Sequence, residues 1–285
     1  MSKYVLGVYE KAMPNTLSFE EKLRYAKEIG YDYLEISIDE TPEKLSRLDW
    51  DKKTRDELVS TMKKVGLPIR SLCLSGQRKY PMGSENEEIR KQSMEIIEKA
   101  IILADDLGVR IIQLAGYDVY YEKGNDTTRE LFMKNLRKAV EIASKHGVIL
   151  AFETMETSFM DTVKKAHEVV EKISSPFLQI YPDLGNIKNS SLIYNHDVID
   201  DIKDGKNHIV AAHIKESIVG HYREIQFLTG HVNFKECLTQ LWKQGVRRYV
   251  TELWYVGAED FTLDLKFAVK TFRTMLDEIE GELNC

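Results

Sequence analysis

The chain of 285 residues carries a formal net charge of −6, and 43% of its residues are hydrophobic. This length and composition predict a soluble protein with a sizeable core, and α/β barrels of this length usually form one domain, so we expect a single domain over residues 1–285. The acidic balance argues against nucleic acid as a partner. No apolar stretch approaches the roughly 18 residues that a membrane span requires.

The first residues and the cysteines indicate a cytoplasmic protein. The opening stretch MSKYVLGVYEKAM has only a short apolar run before its charges, which is not typical of a secretory signal. Cys73, Cys237 and Cys285 have neither disulfide-framework nor zinc-knuckle spacing. We therefore expect these cysteines to be packing residues in a reducing compartment.

Short apolar runs alternate with helical patterns along the whole chain. Eight runs have the length and composition of strands: Val5–Tyr9, Tyr33–Ile38, Ile69–Leu74, Ile111–Ala115, Ile149–Phe152, Leu178–Tyr181, Ile209–His213 and Tyr249–Leu253. Three helix starts carry a capping pair: Ser18 with Glu21, Ser84 with Glu87, and Asn233 with Glu236. Six glycines are predicted to end helices in a left-handed cap: Gly30, Gly66, Gly108, Gly147, Gly205 and Gly245.

Eight strand–helix units predict an α/β fold of the closed (β/α)₈ TIM-barrel type. The weakest helical pattern is in the sixth unit, NSSLIYNHDVIDDIKDG, which predicts only a short helix. A doubly wound open sheet is the alternative. It would need a glycine-rich phosphate loop after the first strand, and GVYEKAMPN is not such a loop.

Polar residues end the last four predicted strands, at Glu153, Asp183, His213 and Glu252. In such barrels the chemistry sits at the carboxyl ends of the strands, so these side chains should converge. Converging carboxylates repel one another unless a cation is present. Three oxygen ligands and one nitrogen suit Mn²⁺ or Mg²⁺, with Zn²⁺ or Co²⁺ as alternatives.

Each of these residues also has a purely structural interpretation. Glu153 could pair with a lysine at the barrel mouth, and Glu252 with a neighbouring arginine. Asp183 could be a turn residue after a proline, and His213 an ordinary core histidine. Four such residues at equivalent strand ends nevertheless favour a metal site over four unrelated structural roles.

Other charged residues are weaker candidates. Glu35 is expected to face polar groups of the outer helices, and Glu156 is expected to be solvated. Lys215 and Glu216 are expected to form an ion pair in a loop.

Arg78 and Lys79 form a small basic cluster in a loop, and with Lys11 and Arg223 they could receive a phosphate, because Arg and Lys serve that role well. Each could equally be a solvated loop charge.

The segments GVYEKAMP, SIDETPEKLSRLDW, SLCLSGQRKYPMGS and IIQLAGYDVYY resemble the L-ribulose-5-phosphate (L-xylulose-5-phosphate) 3-epimerase family of the xylose-isomerase-like barrel superfamily. The resemblance covers nearly the whole chain. The family's metal ligands fall on Glu153, Asp183, His213 and Glu252. The sequence departs from the family in CLSGQRKYP, HIKES, REIQFLTGHVNF and FETMET, and these departures concern substrate-contacting loops more than the metal ligands.

The resemblance implies inversion at C3 of a ketopentose 5-phosphate, between L-xylulose 5-phosphate and L-ribulose 5-phosphate. Glu153 and Glu252 would exchange the C3 proton through a cis-enediolate held by the metal. Asp183 and His213 would hold the metal only, and Asn186 would contact substrate hydroxyls. The resemblance also implies a divalent metal cofactor, a homodimer and a role in ascorbate utilisation.

Several other functions remain open from the sequence. The chain could be an aldose–ketose isomerase, or a 3-epimerase of another sugar or sugar phosphate. A non-catalytic sugar-phosphate binding protein is a third possibility, although both candidate catalytic glutamates are present. A barrel endonuclease would need more ligating histidines than the seven in this chain, and a basic face.

Overall fold

Eight parallel strands form the centre of the molecule, and helices surround them. The computed structural model describes residues 3–283. The strands are β1 (Val5–Tyr9), β2 (Tyr33–Ile38), β3 (Ile69–Leu74), β4 (Ile111–Ala115), β5 (Ile149–Glu153), β6 (Leu178–Tyr181), β7 (Ala212–Ile214) and β8 (Arg248–Thr251).

The strands pair in the order β6-β5-β4-β3-β2-β1-β8-β7, all parallel. Single parallel bridges join the two end strands, between Ile180 and Ile209 and between Asp183 and His213. Three backbone hydrogen bonds support this seam, including one of 3.0 Å from the His213 N–H to the Pro182 carbonyl. The sheet therefore curls into a nearly closed ring, which confirms the predicted (β/α)₈ barrel.

The helices are α1 (Phe19–Ile29), α2 (Pro42–Leu45), α3 (Lys52–Val65), α4 (Glu87–Leu107), α5 (Asp126–His146), α6 (Val163–Ile173), α7 (Leu184–Tyr194), α8 (Val198–Asp204), α9 (Phe234–Lys243) and α10 (Thr262–Leu283). The sixth unit thus carries two helices, α7 and α8, where the sequence predicts one short helix. Within residues 3–283, no helix is both long enough and apolar enough to cross a membrane.

The predicted capping pairs are only partly correct. Ser18 and Glu21 form the predicted capping box at α1. At α4 the prediction is wrong, because Asn86 is the N-cap and accepts from the N–H groups of Glu88 and Ile89. The hydroxyl of Ser84 instead accepts a hydrogen bond from the N–H of Asn86, the residue just before the helix.

At α9 the Asn233 side chain makes no capping hydrogen bond to the backbone. Its Nδ2 instead donates to the carboxylate of Glu236, at 3.1 Å. The predicted pair therefore meets, but through the two side chains alone.

The glycine predictions hold at four helix ends, where Gly30, Gly66, Gly108 and Gly147 are left-handed caps. Gly205 has a φ of −89°, so its prediction is wrong. Gly245 is left-handed, with a φ of 84°, but follows the cap residue Gln244.

Three predicted strands have wrong boundaries, of which β5 differs only by one residue, since it ends at Glu153. β7 begins at Ala212, because Ile209 makes only a single bridge to β6. β8 ends at Thr251, so Glu252 and Leu253 lie just beyond it.

The barrel interior is packed with side chains from alternate strand positions. A cluster of buried residues fills it: Tyr9, Tyr33, Cys73, Ile111, Ala151, Tyr181, Ala211 and Val250. Gly7 makes room for this packing, because a Cβ there would lie 2.5 Å from the Tyr33 ring. Cys73 and Cys237 are buried free thiols, as their predicted packing role requires. Cys285 lies outside the described residues.

Candidate metal centre

Four side chains converge at the carboxyl ends of the last four strands. The Nδ1 atom of His213 lies 3.2 Å from Glu153 Oε1, 2.9 Å from Glu252 Oε2 and 4.0 Å from Asp183 Oδ2. One ligand atom from each of the four residues lies within 4.8 Å of those of the other three, and all four residues are buried. The structure thus brings together the four residues that the sequence predicts as metal ligands.

The strand ends explain this convergence. Glu153 is the last residue of β5, His213 is central in β7, and Glu252 directly follows β8. Asp183 is the N-cap of α7, where its Oδ1 accepts a 2.7 Å hydrogen bond from the Asn186 N–H. This bond leaves the second oxygen, Oδ2, directed at the cluster.

Burial and mutual repulsion perturb the three carboxylates. Burial, together with the charge of Glu252, raises the pKa of Glu153. Burial raises the pKa of Asp183 well above its usual range, despite the nearby Lys215 ammonium. Burial opposes ionisation of Glu252 as well, but the charges of Lys215 and His213 outweigh it and hold the pKa of Glu252 low. The site therefore contains more negative charge than its own cations stabilise.

The donor set fits a divalent cation. Asp183 Oδ2 and Glu252 Oε2 are buried and accept no hydrogen bond from the described residues. Lys215 lies near both oxygens and His213 near that of Glu252, but burying carboxylate oxygens that accept no hydrogen bond is costly unless a further cation or donor satisfies them. Three carboxylates with one imidazole are ligands that Mn²⁺, Mg²⁺, Zn²⁺ or Co²⁺ can accept.

Glu35 fixes the orientation of His213 by contacting Nε2, the ring nitrogen that does not face the four-residue cluster. Glu35 is fully buried inside the barrel, and its Oε1 lies 2.6 Å from His213 Nε2. The Ser71 and Tyr181 hydroxyls donate to its other oxygen at 2.7 and 2.9 Å. The expectation that Glu35 faces the outer helices is therefore wrong, because this residue points inward.

The contact with Glu35 influences the protonation of the His213 imidazole. Burial by itself would lower the pKa of His213, but the negative charges of Glu35 and Glu252 outweigh it and raise the pKa well above its usual value. Because Glu35 accepts at Nε2, a bound cation would replace the proton at Nδ1, and Nδ1 would be the ligand atom of His213.

Replacing Glu35 with leucine is expected to weaken divalent-metal binding by about 10- to 100-fold, because Nε2 loses the acceptor that orients the ring. Titration of the metal-stripped protein with Mn²⁺ measures this change. Glu35→Gln keeps an acceptor oxygen and serves as the control, with affinity closer to that of the wild type. Equal affinity in the wild type and Glu35→Leu would contradict a positioning role.

Lys215 belongs to the site and not to a loop ion pair. Its ammonium lies 3.1 Å from Asp183 Oδ2 and 3.8 Å from Glu252 Oε2, and it donates to Asn186 Oδ1 at 2.8 Å. Glu216 instead accepts from three backbone N–H groups of its own loop. The predicted Lys215–Glu216 pair is therefore wrong.

Asn186 is held by contacts at both ends of its amide. Its Oδ1 accepts from Lys215, and its Nδ2 donates to the Thr154 carbonyl at 2.7 Å. These bonds tie the start of α7 to Lys215 and to the residue after Glu153. A direct contact with substrate stays a prediction for this side chain.

Sequence reasoning missed Gln113. This buried residue of β4 donates from Nε2 to Glu153 Oε2, so it fixes one oxygen of Glu153 while the other faces His213. A signal was present, because Gln113 and Glu35 each interrupt an apolar strand with a polar side chain.

A second polar cluster lies in the loops at the same end of the barrel. Glu156 accepts hydrogen bonds from the Tyr117 hydroxyl at 2.7 Å, the Tyr120 hydroxyl at 3.1 Å and Arg223 Nη2 at 2.6 Å. The Arg78 guanidinium lies 4.8 Å from the centre of the Tyr120 ring. Glu156 is therefore not solvated as predicted, because its side chain is only 15% exposed.

Of the predicted phosphate-binding residues, Lys11, Arg78 and Arg223 do not share one cluster of contacts. Arg78 and Arg223 lie around Glu156, whereas Lys11 pairs with Asp39 at 2.5 Å.

Comparison with known proteins identifies the family of this chain. The sequence model of a family described as xylose isomerase-like TIM barrel matches residues 23–267. Over 262 residues, 91% of each chain, the sequence is 42% identical to the L-ribulose-5-phosphate 3-epimerase UlaE of Escherichia coli (strain SE11). The same values hold for the protein of that name from Shigella sonnei (strain Ss046).

Solved structures share the fold at much lower identity. A structure of L-ribulose 3-epimerase aligns with a TM-score of 0.81 at 17% identity, covering 100% of this chain and 97% of that one. A D-psicose 3-epimerase from Clostridium cellulolyticum H10, solved with D-tagatose, gives a TM-score of 0.81 at 15% identity, covering 95% and 99% of the two chains. At these identities the alignments support the barrel fold alone.

Proposed function

Because this chain belongs to the L-ribulose-5-phosphate 3-epimerase family of xylose isomerase-like TIM barrels, we propose that it epimerises a ketopentose 5-phosphate at C3. The substrate pair we propose is L-xylulose 5-phosphate and L-ribulose 5-phosphate. The observation that carries the proposal is the approach of two carboxylates, Glu153 and Glu252, to one atom, Nδ1 of His213.

Glu153, Asp183, His213 and Glu252 would hold the divalent cation, for which Mn²⁺, Mg²⁺, Zn²⁺ and Co²⁺ are the candidates. When bound, the cation would supply Lewis acidity that stabilises negative charge on the substrate oxygens as C3 loses its proton. Asp183 and His213 are proposed to serve as ligands only. Glu35 would keep the His213 ring in place.

Epimerisation needs proton removal on one face of C3 and delivery on the other. Glu153 comes from β5 and Glu252 from the end of β8, and these strands are separated in the ring by β6 and β7. Their carboxylates can therefore flank a sugar carbon. We propose that one removes the C3 proton while the other returns a proton to the opposite face.

Substrate binding would use the residues around this pair. Asn186 is proposed to contact substrate hydroxyls, and Arg78 and Arg223 to bind the phosphate at the loop cluster around Glu156. Lys11 would add a further positive charge at the barrel mouth. Burial by itself would lower the pKa of both guanidinium groups, but Tyr117 and Glu156 outweigh it and raise the pKa of each above its ordinary value, so both stay ionised.

We also propose the domain organisation, the oligomeric state and the location of the protein. One barrel domain over residues 1–285 is supported by the single eight-stranded sheet. A homodimer and a cytoplasmic location remain predictions from the sequence.

Proton NMR in D₂O tests the function. Metal-loaded protein is expected to place deuterium at C3 of L-ribulose 5-phosphate while L-xylulose 5-phosphate accumulates. Removing the metal with a chelator should abolish both changes, and adding Mn²⁺ back should restore them. Unphosphorylated L-ribulose, run in parallel, measures how far the phosphate is required.

The products separate the alternative functions. Exchange at C1 or formation of an aldose would identify an aldose–ketose isomerase instead. Binding of the sugar phosphate without exchange at any carbon would identify a binding protein. Either result would overturn the proposed epimerisation.

A further inference from the structure

A second set of metal-ligand side chains lies away from the carboxyl ends of the strands. His167 and Glu171 are one turn apart on α6, and His208 lies between α8 and β7. His167 Nε2 is 3.5 Å and His208 Nε2 is 3.2 Å from Glu171 Oε1. We propose that these three residues, the α6 triad, bind a divalent transition metal such as Zn²⁺.

The spacing of the ligand atoms fits a tetrahedral ion. Nitrogen and oxygen ligands bound about 2.0–2.2 Å from tetrahedral Zn²⁺ lie about 3.3–3.6 Å from one another. The distances of 3.5 Å from His167 and 3.2 Å from His208 to Glu171 Oε1 are close to this edge length. All three ligand atoms lie within 4.8 Å of one another, so small side-chain rotations bring them to one ion.

The tautomer of His208 is set for metal binding. Its Nδ1 lies 3.2 Å from Gln179 Oε1, and a carbonyl oxygen can only accept, so Nδ1 carries the hydrogen. Gln179 Nε2 in turn donates to the Pro176 carbonyl at 3.1 Å, which fixes the direction of the amide. In a neutral His208 the lone pair is therefore on Nε2, which faces Glu171, and an Nδ1–H held by an oxygen is the arrangement typical of metal-bound histidines.

The backbone around His208 is also held in place. The His208 carbonyl accepts a 2.8 Å hydrogen bond from the Ile180 N–H of β6. His167 and Glu171 are fixed relative to each other by the helix. The triad thus joins α6 to the segment before β7, and a bound ion would cross-link these two parts of the fold.

The chemistry of the triad indicates the class of metal. Two imidazoles and one carboxylate suit Zn²⁺ better than Mg²⁺ or Ca²⁺, which prefer oxygen ligands. The side chains of His167 and His208 are 30% and 27% exposed, so an ion can enter and water can fill the fourth position. The triad shares no residue with the cluster of Glu153, Asp183, His213 and Glu252.

Zinc titration of the metal-stripped, full-length protein by calorimetry tests the proposal. His208→Ala is expected to bind one equivalent of Zn²⁺ fewer than the wild type, and the zinc-dependent rise in Tm should shrink. His146→Ala is the matched control, because His146 is a similarly exposed histidine that pairs with Asp105 at 3.0 Å, outside the triad. His146→Ala should keep the full zinc stoichiometry.

Two further variants test the triad independently of His208 and of the four-residue cluster. His167→Ala removes a ligand from α6 without touching the segment before β7, and it should lose the same equivalent if His208→Ala fails to fold. Asp183→Asn should keep the triad's equivalent. Unchanged stoichiometry and affinity in His167→Ala would overturn the proposal, whatever the outcome of the epimerase assay.

Discussion

Replacing Glu153 or Glu252 with glutamine is expected to reduce C3 epimerisation by about 10²- to 10⁴-fold, the range that one general acid–base residue contributes. Glutamine keeps the shape and an oxygen ligand but can neither accept nor return the proton. Because each variant retains one base, each should still wash out the C3 hydrogen of one epimer but not of the other. The two variants should show opposite preferences.

Measuring deuterium incorporation into both pentulose phosphates by NMR distinguishes the two bases. Metal content must be determined for each variant, because both glutamates are also proposed ligands. Glu40→Gln is the control, since Glu40 pairs with the Tyr121 hydroxyl at 2.7 Å outside the four-residue cluster. Rapid exchange of both epimers in both metal-loaded variants would rule out these glutamates as the bases.

Replacing Glu10 with glutamine is expected to lower the free energy of unfolding by about 3–5 kcal/mol, because it leaves buried cations without their partner. Glu10 is fully buried just after β1. Its carboxylate lies 3.0 Å from the Lys22 ammonium, 2.7 Å from the Lys44 ammonium and 2.6 Å from Arg47. It also accepts a 2.8 Å hydrogen bond from the Ser37 N–H of β2.

The contribution of Glu10 should depend on pH in a defined direction. Burial opposes its ionisation, but Arg47 and the two lysines outweigh burial and hold the pKa of Glu10 well below the ordinary value of 4.5. Since the folded pKa is depressed, the stabilisation is present above about pH 4.5 and is lost as the pH falls towards the folded pKa. The variant should therefore lose less stability than the wild type below pH 4.5.

Urea denaturation at pH 7 and at pH 3 measures both effects. Glu20→Gln is the control, because Glu20 pairs with Lys64 on the surface, where the two side chains are 43% and 70% exposed. That exposed pair should contribute no more than about 1 kcal/mol. Similar losses at pH 7 for Glu10→Gln and Glu20→Gln would contradict the role of the buried cluster.

The sequence by itself determined the barrel and the positions of the four converging residues. The alternation of short apolar runs with amphipathic helices predicts parallel strands, and all parallel strands of a barrel end on the same side. A polar residue at or close to the carboxyl end of each of the last four strands, such as Glu153 or His213, therefore points to one place. This inference needs only the order of strands and helices along the chain, because their regular alternation predicts strands that all run in one direction.

Only the tertiary structure decided which side chains support this centre. The direction of Glu35 could not be predicted, because both faces of a barrel strand are buried and its apolar run gives no alternation to read. Lys215 contacts Asp183, and Glu10 contacts Arg47, across 32 and 37 positions of sequence. Such pairs form when separate strand–helix units pack against each other. Their geometry therefore depends on the closed barrel and not on any local pattern.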